Sequence, residues 1–318
     1  MKRPPWPEFL LLLALAGLVA LSCSLGASHI SPLRLFESPL ARQIVIEIRL
    51  PRTVLALLVG ASLGLSGAVL QALLRNPLAD PGVLGISATS SLGAVLVFYF
   101  GFHFVVAGGI AGSLAAVLIL ILLAGRHAGT LTLLLAGVAL SSFAVALTSL
   151  ALNLAPSPLA AYEILFWLLG SVADRSWPQV AMVAPFILGG WAVLATTVRG
   201  LDALTLGEDV AHSLGVDLRR LRWAAVAGTA LCVGGSVSAA GAIGFVGLVV
   251  PHMMRVLVGH ASARLLPACA LAGAVLLLAA DIAVRLLPLG TDLKLGVTTA
   301  LVGAPFFLLQ ILKMRERQ

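Results

Sequence analysis

The sequence predicts an all-α integral membrane protein: about ten transmembrane helices in a single domain covering residues 1–318. Three observations carry that prediction. The chain holds 20 basic and 13 acidic residues, 10% of its 318, where an ordinary soluble domain carries about 25% charged residues. It is 60% hydrophobic with a mean hydropathy of +1.09. Its apolar runs recur at the length a bilayer demands, since a helix rising about 1.5 Å per residue needs about 20 apolar residues to cross a core about 30 Å thick. Soluble enzymes and nucleic-acid binders are excluded on this count, despite a net charge of +7 and a pI near 10.2.

In chain order the candidate spans lie near 9–28, 53–74, 83–101, 104–124, 130–152, 180–198, 223–241, 244–258, 266–286 and 293–312. Charged residues, Pro and Gly punctuate the runs. The first follows Lys2 and Arg3 and ends near Leu21-Ser22-Cys23, so it also suits a cleaved leader; Ala20 and the even span count favour a retained helix. In the second and fourth, Gly60/Gly64 and Gly108/Gly112 have the small-xxx-small spacing that lets helix backbones approach closely. The seventh and eighth are the hardest to separate, because Gly241, Gly244 and Gly247 interrupt one long apolar stretch ahead of Pro251.

The basic residues check this order. With the N-terminus inside, cytoplasmic segments hold Lys2, Arg3, Arg75, Arg126, Arg199, Arg219, Arg220, Arg222, Arg255, Arg264, Lys313, Arg315 and Arg317. External segments hold Arg34, Arg42, Arg49, Arg52, Arg175, Arg285 and Lys294. That bias is the one the positive-inside rule expects, and it puts both termini in the cytoplasm. Trp6, Tyr99, Trp177 and Trp223 stand at span ends, where interfacial aromatics belong.

Ionisable groups are scarce inside the spans. Asp281 and Arg285, four residues apart, share a helix face in the order that favours an ion pair; a structural pair and a proton relay both fit. Cys23, Cys232 and Cys269 have no paired spacing, and His29, His103, His127, His212, His252 and His260 do not cluster, so no metal site is expected. No phosphate-cradling Gly-x-x-x-x-Gly-Lys-Ser/Thr loop occurs. The chain is therefore expected to be no enzyme and to bind no cofactor; ATP-driven work would need ATP and Mg²⁺ on a separate subunit.

The longest loop predicted as cytoplasmic, 199–222, suits such a subunit. Thr205 and Glu208 have capping-box spacing, Val210, Leu214, Leu218 and Leu221 form an apolar helical stripe, and Gly215 is a candidate C-cap dividing two short helices. From the residues alone, the loop fits partner docking or an element lying on the lipid surface.

Five ordered blocks then resemble one family. They are IRLPR at 48–52 with the glycine-rich stretch to Gly85, LLAGVAL at 134–140, LGEDVAHSLG at 206–215, GAIGFVGLVVPH at 241–252, and GAPF at 303–306. The chain resembles the iron-chelate and vitamin B12 permeases of bacterial ABC importers, over about residues 45–312. The resemblance implies the ten-helix bundle of a type II ABC importer permease in the bacterial inner membrane. It also implies a homodimer with the substrate path between subunits, two ATPase subunits beneath it, and a periplasmic or lipid-anchored binding protein above. It assigns ATPase coupling to Gly207, Glu208, Asp209, Ala211, Leu214 and Gly215, and binding-protein docking to Arg49, Arg52 and Arg285. It matches the cytoplasmic gate to Thr130 and Leu131. Arg49 and Arg52 also suit interfacial anchors, and Arg285 a partner for Asp281. One departure stands out: Lys294 replaces the proline that the family places before its last span. For cargo, an iron chelate (ferric siderophore or haem) ranks narrowly ahead of cobalamin. A gradient-driven transporter and a passive facilitator are the rival classes, distinguished by needing no ATPase.

Overall fold

The computed structural model describes residues 6–25, 39–100, 104–125, 129–287 and 293–315. Lys2, Arg3, Arg34, Arg126, Arg317, His29, His103 and His127, which entered the expectations above, lie outside them. Among the described residues every regular element is helical.

The order is α1 (Trp6–Ser24), α2 (Pro39–Ile44), a π turn (Val45–Arg49), α3 (Leu50–Leu73), a 3-10 turn (Pro81–Leu84), α4 (Ile86–Tyr99), α5 (Val105–Ala124), α6 (Thr130–Asn153), α7 (Pro158–Leu168), α8 (Trp177–Thr196), α9 (Val198–Leu204), α10 (Glu208–Ser213), α11 (Leu218–Ala240), α12 (Val246–Val258), α13 (Ser262–Leu286) and α14 (Leu295–Arg315). Among the described residues seven stretches are long and apolar enough to cross a bilayer: α1, the α2–α3 rod, α5, α6, α8, α11 and α13. With α4, α12 and α14, each of the ten predicted spans has a helix.

Helix ends meet at two opposite faces. At one, which we call the loop end, Arg264 of α13 bonds Glu8 of α1 at 2.7 Å, and the Ser262 N–H donates to Asp202 of α9. At the other, the arginine end, the Trp177 indole donates to the Ile46 carbonyl at 2.8 Å and the Tyr99 hydroxyl to the Leu154 carbonyl at 2.7 Å. Successive spans run between these faces in alternation, as short connections require.

Three departures from the sequence reading have local causes. The second span begins at Pro39, well before residue 53. Pro51 contributes no N–H, but the wide π turn just before it absorbs the missing bond, so the helix continues through the charged segment. The seventh and eighth spans divide at 241–245, where Gly241 (φ 73°) and Phe245 (φ 68°) take left-handed conformations. The chain there turns back inward: α12 begins against the last third of α3, where a Cβ on Gly67 would collide with the Gly247 backbone. Finally α7, which the sequence reading missed, caps the arginine end; Ser157 accepts from the Ala160 N–H at 3.2 Å to start it.

The core lies where α3 meets α13, α11 and α12. Gly60 and Gly64 pack directly on Gly273 and Cys269, and a methyl on Gly60 would sit 2.8 Å from the Leu277 Cβ. The small-xxx-small spacing thus serves packing within the subunit, and α3 and α13 are joined backbone to backbone. Gly108 and Gly112 do the same for α5 against α4.

Candidate functional site

The loop-end site is built from α9 and α10. Leu201 and Leu204 are fully buried and set α9 into the bundle against α13 and α3. Gly207, at φ 112°, turns the chain out, and Ala211 seats α10 with a small buried side chain. α10 closes in a Schellman motif: the Val216 N–H donates to the Ala211 carbonyl and the Gly215 N–H to the His212 carbonyl, with Gly215 at φ 82°. Gly215 ends α10, as the sequence indicates.

The capping box is not formed. Thr205 ends α9 and bonds the Asp202 carbonyl, leaving Glu208 free to reach sideways. Its carboxylate pairs with Arg222 of α11 at 2.9 Å and lies 3.5 Å from the Thr130 hydroxyl at the start of α6. The apolar stripe is also split: Leu214 is 62% exposed, whereas Leu221 is 6% exposed and belongs to the core. What the α10 segment presents is an exposed apolar ridge of Leu206 just before the helix, Val210 within it and Leu214 at its C-cap, beside the exposed Asp209. Sequence periodicity ran across the break at Gly215 and joined two surfaces that face apart. Below the ridge, the Arg220 backbone N–H donates to Asp217 at 3.0 Å, which holds that carboxyl below its usual range.

Thr130 and Leu131 both stand at the first turn of α6, Leu131 strongly exposed. The residues expected to form the gate and those expected to couple to an ATPase therefore adjoin at Thr130 and Glu208, a proximity invisible in a chain that separates them by about eighty positions.

At the arginine end the three arginines turn inward. Asp281, 1% exposed, accepts from Arg52 through Nε (3.0 Å) and Nη2 (2.7 Å), and from Arg285. Arg285 also donates to the Ser22 carbonyl at 3.0 Å. Arg49 is 5% exposed and bonds the Cys23 and Ser24 carbonyls at 2.8 and 2.7 Å, so it caps the end of α1. Arg52, with a side chain 22% exposed, keeps the most contact with solvent. The expected Asp281–Arg285 pair is thus a triad with Arg52, which sequence spacing could not reveal because its third member sits 229 positions away. Lys294 directly precedes α14, and its ammonium lies 5.3 Å over the Phe166 ring of α7. This cation–π contact ties the entry of that helix to α7, at the position where the resemblance leads one to expect a proline.

Between α7 and α14 opens an apolar cleft of about 550 Å³, lined by Leu168, Leu169, Ala242, Val297, Leu301 and Pro305. Among the described residues no three His, Cys, Asp or Glu side chains gather as metal ligands.

A helical bundle with an exposed apolar ridge on a short loop helix suits a transport subunit driven from outside itself. Residues 11–313 match the profile described as the FecCD transport family. The chain belongs to the FecCD transport family. It is 43% identical over 321 residues to the vitamin B12 import system permease protein BtuC of Escherichia coli O9:H4, covering 97% of this chain and 96% of that one. With the protein of the same title from Vibrio cholerae it shares 40% over 326 residues, covering 99% and 97%. An uncharacterized ABC transporter permease, YvrB of Bacillus subtilis, is 40% identical over 290 residues, 88% of this chain and 82% of that one. Among solved structures, an inward-facing putative metal-chelate type ABC transporter superposes with a TM-score of 0.91 at 33% identity, covering 98% of this chain and all of the other. As a FecCD member the protein is a multi-pass membrane permease subunit of an ABC importer, not a catalytic enzyme, and it works with ATPase and substrate-binding partners.

Proposed function

We propose that this permease imports vitamin B12 as a homodimer in the bacterial cytoplasmic membrane, with the loop end and both termini in the cytoplasm. One ATPase subunit docks on each Leu206–Val210–Leu214 ridge, and ATP with Mg²⁺ acts there, not on this chain. The exposed ridge is the observation that carries this reading, because an apolar helix face held out on a membrane protein's polar end needs a partner to cover it. A periplasmic or lipid-anchored binding protein meets the arginine end, drawn by the positive excess around Asp281.

Cargo would pass along the subunit interface, with the α7–α14 cleft on its path. A weakly polar wall suits a large chelate, which it neither grips nor strands; selectivity then belongs to the binding protein. Near-full-length relatives titled as vitamin B12 permeases at 40–43% identity favour cobalamin, reversing the narrow preference for an iron chelate drawn from the family resemblance. A ferric siderophore or haem is the second reading, favoured by the neighbour titled as a metal-chelate type transporter. Uptake assays decide between them. Cells relying on this system should accumulate labelled cyanocobalamin and lose that ability on deletion; accumulation of a ferric chelate instead would overturn the assignment.

A further inference from the structure

The loop end grips the bundle through two acids that lead to different helices. Glu208 reaches α11 and α6. Asp202, on the half-buried helix α9, accepts the Ser262 backbone N–H at 2.6 Å. Ser262 is the first residue of α13, and Ala261 before it has no side chain that can cap. A helix start leaves its first N–H groups without internal partners, so Asp202 supplies from the coupling loop the cap that the α13 sequence lacks. α13 then runs 25 residues to the arginine end and carries Asp281, 19 residues or about 28 Å beyond Ser262. Its contact with α3 through Gly60, Gly64 and Gly273 is backbone on backbone, and α3 carries Arg52. The same helix pair thus ends in the coupling loop on one side and in the arginine triad on the other.

We propose that Asp202 is a positioning residue for signalling: through its bond to α13 it lets binding-protein docking at the arginine end regulate the ATPases at the loop end. This rests on the reading under Proposed function. A docked binding protein shifts the triad, α3 and α13 move as one body, and Asp202 carries that shift into α9 and on to α10. Glu208, tied to the start of α6, serves the gate by a separate branch.

The experiment uses the full complex of permease, ATPase and binding protein in lipid nanodiscs, and reads the ratio of ATP hydrolysis with and without cyanocobalamin-loaded binding protein. Asp202→Ala should lower that ratio about fivefold or more, the range in which coupling between distant sites falls. Asp202→Asn keeps an acceptor oxygen and should retain the wild-type ratio, a rescue that helix capping through any acceptor predicts. Ser262→Pro removes the N–H donor at the first helical position, where proline is tolerated, with Ser262→Ala as the control for the buried hydroxyl lost with it. Ser262→Pro should match Asp202→Ala, Ser262→Ala should match wild type, and the double variant Asp202→Ala/Ser262→Pro should be no worse than either. A wild-type ratio in Asp202→Ala or Ser262→Pro, with the wild-type complex responding, would overturn the inference alone. A wild-type complex that ignores the binding protein would overturn the reading beneath it as well. If both variants fail to assemble, the contact is a folding element and the signalling role falls.

Discussion

Replacing Asp281 with asparagine separates two roles of the arginines around it. The carboxylate is 1% exposed and holds Arg52 by bonds of 2.7–3.2 Å as well as Arg285. Removing one partner of a buried ion pair costs about 3–5 kcal/mol. Arg52 keeps a side chain 22% exposed and is partly rehydrated, so the lower end applies, about 3 kcal/mol. At about 2.1 cal/mol/K of unfolding entropy per residue, a chain of 318 residues shifts by about 1.5 °C per kcal/mol, so the melting temperature of the purified permease should fall by about 4–5 °C. Docking should respond in the opposite sense. The arginine end gains one net positive charge, so association with an acidic binding protein should quicken at low salt, and the gain should vanish as screening rises. Thermal melting in detergent and stopped-flow association across a salt series measure the two. A melting point within about 2 °C of wild type would refute the structural triad, and slower association at low salt would refute docking at this face.

Other substitutions test other parts of the account. Leu214→Glu puts a charge on the exposed ridge and should abolish ATP-driven uptake while the permease still assembles, seen by pull-down of the ATPase and by size exclusion. Gly273→Leu must push α13 off α3 at the Gly60 carbonyl; such overpacking costs about 1–3 kcal/mol, visible as a lower melting point or lost expression. Asp217 gives a pH dependence whose sign follows from its lowered pKa. The cap is at full strength above the ordinary carboxylate pKa of about 3.9 and fades as pH falls through the lower folded value. Hydrogen exchange at the Arg220 amide should show protection lost on acidification in wild type and insensitive to pH in Asp217→Asn.

The spans were legible because burial in lipid leaves one signature, length and hydropathy, that needs no knowledge of neighbours. Gly215 and the paired glycines were legible for a similar reason, since a left-handed turn or a close backbone approach demands that residue locally. What escaped were contacts between distant positions: Arg52 on Asp281, Asp202 on Ser262, Glu208 beside Thr130. Local spacing misled where a rival partner won, as when Glu208 reached Arg222 and left Thr205 to close α9. It misled again along Val210–Leu221, where one apolar rhythm covered an exposed ridge and a core helix. α7 was hidden by its brevity, eleven residues against the twenty of a span, though Ser157-Pro158 marked its start.

Reconstitution in proteoliposomes tests the source of the driving force most directly. With its ATPase and binding protein present, the permease should accumulate labelled cyanocobalamin only when ATP and Mg²⁺ are supplied to the loop-end side. Accumulation by the permease alone, under a proton gradient and without nucleotide, would contradict the account.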